Sequence, residues 1–233
     1  IKELLTQKPP NKTGFYEYRN VDYALFRFIL PRLTGYNELA IASMGDSIYG
    51  QKFRDIVQEL VFKPIGIKNT HVKMPNVYKK TEMLCYSSWN TKTKGEGSKD
   101  QHKSVGSTGW FITCRDLAKF YNRLWHTEKL LPKWLRDKMF DEVLGYDHTK
   151  KSGGVGYATK GGQSKSGRAY FSRFIGFKNG VSMVVYTNNN ARPGMERAES
   201  IITDEFQKWY KTKEKRFTLK GAKSKKKVKH PNS

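Results

Sequence analysis

The apolar pattern changes period after Phe140, and that change constrains the architecture more than any other feature of the sequence. Upstream the spacing is helical. Val21, Ala24, Leu25, Phe28 and Ile29 share one face between Val21 and Leu33, with Gly35 placed to end the helix and Pro31 to distort its last turn. Phe53, Ile56, Val57, Leu60 and Val61 line a second helix from Ser47 to Phe62, which Lys63-Pro64-Ile65-Gly66 stops. Thr113 and Asp116 have capping-box spacing ahead of Leu117, Ala118, Phe120, Tyr121, Leu124 and Trp125, and a short helix is expected to begin near Pro132. Downstream, Val143 to Tyr146, Val155 to Lys160, Ala169 to Phe177 and Val181 to Asn188 are short runs separated by Gly, Asn and Asp, which predicts strands joined by hairpins. Lys178-Asn179-Gly180 is the clearest turn. Arg192-Pro193 then opens a final helix with Met195, Ala198, Ile201, Ile202, Phe206 and Trp209 on one face. Helices, then an antiparallel sheet, then a closing helix make an α+β fold. The expected divisions are a mostly helical lobe over residues 1–140, the sheet and its packed helix over 141–210, and a basic tail over 211–233.

A chain of 233 residues that is 37% hydrophobic and 13% aromatic has the material for a core, which excludes a disordered protein. No apolar run approaches the roughly 18 residues of a membrane-spanning helix. The start carries neither Met nor a signal-peptide core, so the chain is read as beginning within a longer protein. Cys85 and Cys114 are too few for a disulfide framework and lack metal-ligand spacing with the five histidines, so they are taken as ordinary thiols, with no metal and no cofactor expected.

Charge points to anionic partners. The formal net charge is +23, and residues 211–229 hold ten Lys or Arg against the single acid Glu214. A field of that sign attracts a membrane surface, a wall polymer or nucleic acid without choosing among them. No zinc-finger spacing, RNA-recognition motif or phosphate-cradling glycine loop singles out nucleic acid. Ser87 to Ser107, polar and rich in Lys, Gly, Ser and Thr, reads as an exposed loop that could flank a site.

Several local words recur in a fixed order. They are Gly14-Phe15-Tyr16-Glu17-Tyr18-Arg19-Asn20, Leu33-Thr34-Gly35, Phe62-Lys63-Pro64-Ile65-Gly66-Ile67-Lys68-Asn69-Thr70, the stretch Gly109 to Phe120, Leu144-Gly145-Tyr146, Lys160-Gly161-Gly162, and the late strand Val181 to Asn188 ending in Thr-Asn. In this order they resemble the serine β-lactamase and penicillin-binding-protein superfamily, in particular its class C-like, D-alanyl-D-alanine carboxypeptidase and esterase branch. The resemblance runs from about Gly14 to Trp209. Tyr18 and Asn20 fall on the family's Tyr-x-Asn motif, and Lys160-Gly161-Gly162 on its Lys-Thr-Gly or His-x-Gly motif, with Gly161 in place of the commoner Thr or Ser.

The resemblance implies a β-lactamase/transpeptidase-like fold and an enzyme that cleaves an amide or ester through an acyl-enzyme, with D-Ala-D-Ala peptides, β-lactams or small esters as substrates. It implies roles as well. Tyr18, acidified by nearby lysines, would share the role of base with the lysine of the family's Ser-x-x-Lys motif; Lys160 would supply positive charge for the phenolate and for a substrate carboxylate; Asn20 would orient substrate amides. The backbone N–H of Gln163 would help form the oxyanion hole, and Gly161 and Gly162 would let a substrate backbone approach. Tyr18 and Lys160 should then lie roughly 3 to 6 Å apart. The family's Ser-x-x-Lys nucleophile motif is expected on a segment upstream of Ile1, because within the chain that spacing occurs only at Ser224 and Lys227, in the basic tail, and no Gly-x-Ser-x-Gly elbow exists. The alternative is a catalytically silent member of the fold that binds or assembles through its basic surface. Relatives are mostly exported bacterial proteins, so a periplasmic or extracellular location is the expectation that the resemblance carries.

Overall fold

The structure, a computed structural model, describes residues 5, 20–36, 46–68, 70–72, 84–86, 95, 104–152, 155–164, 170–188 and 208–209. The helix expected from Val21 to Leu33 is present as two pieces, α1 (Asn20–Ala24) and α2 (Phe26–Leu33). The interruption falls at Leu25, while Pro31 lies buried inside α2. Gly35, at φ +85°, follows the helix as predicted.

The second helix begins as α3 (Asp46–Val57) and then widens into a π-helical turn, Gln58–Phe62, followed by a 3-10 turn, Lys63–Ile65, with Gly66 left-handed at φ +70°. This irregular end is pinned by side chains: Gln58 Nε2 donates to the Ile67 carbonyl (3.2 Å), and Thr70 Oγ1 donates to Gln58 Oε1 (2.6 Å). It swings Phe62, Ile65 and Ile67 inward against Trp110, Ile112 and Phe120. Strands β1 (His71–Val72) and β2 (Trp110–Phe111) form a two-stranded ribbon. Trp110 joins this cluster to that of Phe53 and Val105, and its Nε1 donates to the Val105 carbonyl (3.2 Å).

Val105 is only 1% exposed, so the last part of the segment read as an exposed loop is in fact core. Gly106 explains how it gets there. A Cβ at that position would lie 2.3 Å from the Tyr23 carbonyl oxygen, so only glycine lets this turn press against the backbone of α1.

Helix α4 (Cys114–His126) starts as the sequence predicts: the Asp116 N–H donates to Thr113 Oγ1 at 3.0 Å. It lies across the sheet beside β6 (Ser182–Thr187). Helix α5 (Lys133–Asp141) follows Pro132. Four antiparallel strands then pair in chain order: β3 (His148–Ser152), β4 (Val155–Ser164), β5 (Tyr170–Phe177) and β6. Trp125, Phe140, Tyr146, Ala158 and Phe174 form the core between α4 and the sheet, with Tyr121 stacked on Phe174 at 3.7 Å between ring centroids. Alternation sends Tyr157, Ile175 and Phe177 to the opposite face, where they are also buried.

One strand expectation is overturned. Val143 to Tyr146 is not a strand but the unwinding end of α5: the Leu144 N–H donates to the Met139 carbonyl, and Val143 and Gly145 both have positive φ (57° and 75°). Leu144 and Tyr146 are apolar because they plug the core from a turn. The first strand is the polar stretch His148–Ser152, at the edge of the sheet. The α+β order stands. Of the closing helix only Lys208 and Trp209 are described, as helical and exposed; residues 210–233, with the whole basic tail, lie outside the described residues.

Candidate active site

Strand β4 has two different halves. From Val155 to Thr159 it pairs with β3 (Ser152↔Val155 through His148↔Thr159), and from Tyr157 onward with β5 as well. From Lys160 to Ser164 it continues against β5 alone among the described residues. The Asp147 N–H donates to the Thr159 carbonyl at 2.8 Å, so the backbone groups of Thr159 face the β3 side. Strand alternation turns those of Gly161 and Gln163 the same way, beyond the end of β3. Among the described residues no strand covers this side of the upper half of β4, so its backbone groups beyond Gly161 could receive an extended ligand.

Lys160 shares a face with Ala158, the face turned toward the helices. Its Nζ sits 4.8 Å from the centre of the Tyr23 ring on α1, and the side chain is 20% exposed. Asn20, the first residue of α1, is exposed and lies three residues, nearly one helical turn, before Tyr23. Helix α1 and strand β4 therefore meet at the Tyr23–Lys160 contact, with Gly161, Gly162 and the Gln163 backbone following along the strand. Tyr18 falls outside the described residues, as does the Gln163 side chain.

Tyr23 sits in surroundings that favour its protonated form. Burial, reinforced by the carboxylates of Asp147 and Asp22, pushes its phenol up to about 12, so it meets Lys160 as a neutral ring. Its hydroxyl donates to the Leu5 carbonyl at 3.5 Å, and the same carbonyl accepts from the Gly145 N–H at 3.1 Å. Leu5 thereby ties the helical lobe to the turn leading into the sheet. Burial likewise raises Tyr121 and Tyr146 above their ordinary range, in keeping with their places in the core.

Beside Lys160 lies an ionic cluster centred on Asp147, a residue that no motif in the sequence singles out. Asp147, just ahead of β3, accepts from Lys160 Nζ on Oδ1 (2.9 Å) and, on Oδ2, from the Gly161 N–H (2.8 Å) and from Arg173 Nη1 (3.1 Å). All three side chains are largely buried, at 17% exposure for Asp147, 20% for Lys160 and 11% for Arg173. Arg173 pairs with Gly161 across the β4–β5 ladder. A Cβ on Gly161 would stand 2.8 Å from the guanidinium carbon, so the bare glycine is the window through which Arg173 reaches Asp147. Two signals were present in the sequence: Arg173 is a charge inside the aromatic strand Tyr170–Phe177, and Asp147 directly follows Leu144-Gly145-Tyr146. Neither signal says that the two residues meet.

One hydroxyl–imidazole pair lies nearby. Thr159 Oγ1 is 3.2 Å from His148 Nε2, but Thr159 is 1% exposed and on the face opposite Lys160, so the pair holds β3 to β4 and reaches no ligand. Burial, with Lys150 adding to it, lowers the His148 pKa from its ordinary value. Among the described residues this end of β4 therefore carries an ammonium and a guanidinium already neutralised by Asp147, with the Gln163 backbone N–H further along the strand as a donor that could stabilise developing negative charge.

A family model described as Beta-lactamase matches residues 2–205. A penicillin-binding protein from Bacillus halodurans aligns with a TM-score of 0.52 at 17% identity, covering 84% of this chain and 57% of that one. A class C β-lactamase aligns at 0.53 and 13% identity, covering 82% and 57%, and a mutant class C β-lactamase at 0.52 and 14%, covering 82% and 58%. Identities this low carry the fold alone. The chain spans less than three fifths of the length of each of these structures. No curated protein sequence matches it.

Proposed function

Because the chain belongs to the β-lactamase family, we propose that it is part of a serine hydrolase that cleaves amide or ester bonds through an acyl-enzyme. The observation that supports this reading most directly is the open upper edge of β4, beginning at Lys160 against α1. An acyl substrate lies along that edge, its backbone paired with the strand and its carbonyl oxygen near the Gln163 N–H. Gly162, whose Cβ position has Ser172 Oγ at 3.3 Å, adds no side chain of its own to the approach. Asn20 orients substrate amides from the start of α1.

The nucleophile in this reading comes from a segment carrying Ser-x-x-Lys outside these 233 residues. Its hydroxyl oxygen bonds to the substrate carbonyl carbon while the proton passes to Tyr18. Collapse of the tetrahedral adduct expels the alcohol or amine, which takes that proton, and water then releases the acyl group by the reverse route. The candidate substrates are D-Ala-D-Ala peptides, β-lactams and small esters. The basic stretch 211–229 is proposed to hold the protein at an anionic surface, such as a membrane, wall polymer or nucleic acid.

The test is covalent labelling of the full-length gene product and of the 233-residue chain with a fluorescent penicillin and a fluorophosphonate. Labelling of the full-length protein alone is expected. Tyr18→Phe should slow that labelling by about 10²- to 10⁴-fold, the usual worth of a general base, with little loss of melting temperature. A full-length protein silent toward both probes would replace this reading by that of a binding scaffold on the same fold.

A further inference from the structure

We propose that Asp147 is a specificity-determining residue: its carboxylate occupies the place that a substrate carboxylate would take at Lys160, so the cleft selects acyl compounds that are neutral at that end. This rests on the reading of the β4 edge as a substrate site. Three donors converge there, and all three are engaged by one internal anion: Lys160 Nζ on Oδ1, the Gly161 N–H and Arg173 Nη1 on Oδ2. The Gly161 N–H is the first edge donor beyond the last β3–β4 pair, His148↔Thr159, so Asp147 caps the open edge where a ligand strand would begin. Its own backbone anchors it, through its N–H on the Thr159 carbonyl.

An incoming carboxylate would have to displace Asp147 from these donors or stand beside it with like charge, and either is unfavourable in a site this enclosed. An amide or ester at the same position meets no such opposition, and its N–H or carbonyl can use the rest of the edge. Gly161 belongs to the same device. With a side chain there, the Arg173 guanidinium would be pushed off Asp147 and the carboxylate would keep only the lysine and the backbone amide.

The test uses the folded 233-residue chain and two probes that differ only in charge, N-acetyl-D-alanyl-D-alanine and its C-terminal amide, with dissociation constants from calorimetry. The wild type should bind the amide at least about fivefold more tightly than the acid, and Asp147→Asn should shift that ratio toward the acid by about tenfold or more. A wild type that prefers the acid, or a ratio unchanged in Asp147→Asn, overturns the inference and leaves the substrate site standing. Binding of neither probe to either protein overturns the substrate site and the inference with it. If Asp147→Asn does not fold, the wild-type ratio decides alone, because preference for the amide is the outcome that Asp147 requires and preference for the acid is the one it forbids.

Discussion

The two halves of β4 are one continuous strand built to opposite ends. In the lower half, Gly156 faces the Phe140 ring, Ala158 is fully buried, and hydrogen bonds run to neighbours on both sides. In the upper half β3 has ended, two glycines follow Lys160, and the β3-side edge is held by a carboxylate in place of a strand. The lower half is where helix and sheet join, so its residues answer to packing. In the proposed reading the upper half answers to what must approach it. A site gains precision from being the free end of an element whose other end is locked in the core.

The largest effect should come from the residue that supports both halves. Phe174 pairs with Lys160 across the ladder, is 1% exposed, and stacks on Tyr121. Phe174→Ala should cost about 3–5 kcal/mol in denaturant unfolding, and a loss under about 1 kcal/mol would mean that the α4–sheet junction is not the principal core. The glycines separate the halves more sharply. A Cβ at Gly156 would come within 2.8 Å of the buried Phe140 ring, whereas at Gly162, among the described residues, it would meet only Ser172 Oγ at 3.3 Å. Gly156→Ala should therefore cost about 1–3 kcal/mol and Gly162→Ala well under about 1, and equal costs would erase the distinction between the two halves.

Thr113→Ala removes the cap of the helix that backs the sheet. A loss of about 1 kcal/mol is expected, with the proposed preference for the amide over the acid unchanged. The smallest effect is that of pH at the boundary between the halves. Burial lowers the pKa of His148, beside Thr159, so the folded protein resists a proton that the unfolded chain accepts near the ordinary value of about 6.5. Stability should accordingly fall as pH drops through that value, and His148→Gln should reduce the difference in melting temperature between pH 7.5 and 5.5. Burial also lowers His126, which leaves a residual slope in that variant. An unchanged slope would show that His148 is equally protonated in both states.

Legibility in the sequence followed the range of each signal. The Thr113 cap, the hairpin at Lys178-Asn179-Gly180 and the stop at Gly66 were readable because each is settled within a few residues, and the structure has all three. Strand β3 was not, because His148-Thr149-Lys150-Lys151-Ser152 is a polar edge strand without apolar alternation, while the apolar Val143 to Tyr146 just before it imitated one. Lys160, Gly161 and Gly162 were singled out from their resemblance to a motif, and the structure puts Lys160 on the face toward α1. That Tyr23 is the ring beneath Lys160 had no local signal.

The sequence by itself determined the α+β order, most helix boundaries, and the glycines at which the chain must turn or leave room, because capping, periodicity and turn geometry act over a few neighbouring positions. Only the tertiary structure decided that Asp147, Lys160 and Arg173, separated by up to 26 positions, share one ionic cluster. Their meeting depends on the register of three strands and on the missing side chain at Gly161. A one-residue slip in either ladder would send Lys160 or Arg173 to the other face of the sheet, which no local pattern records.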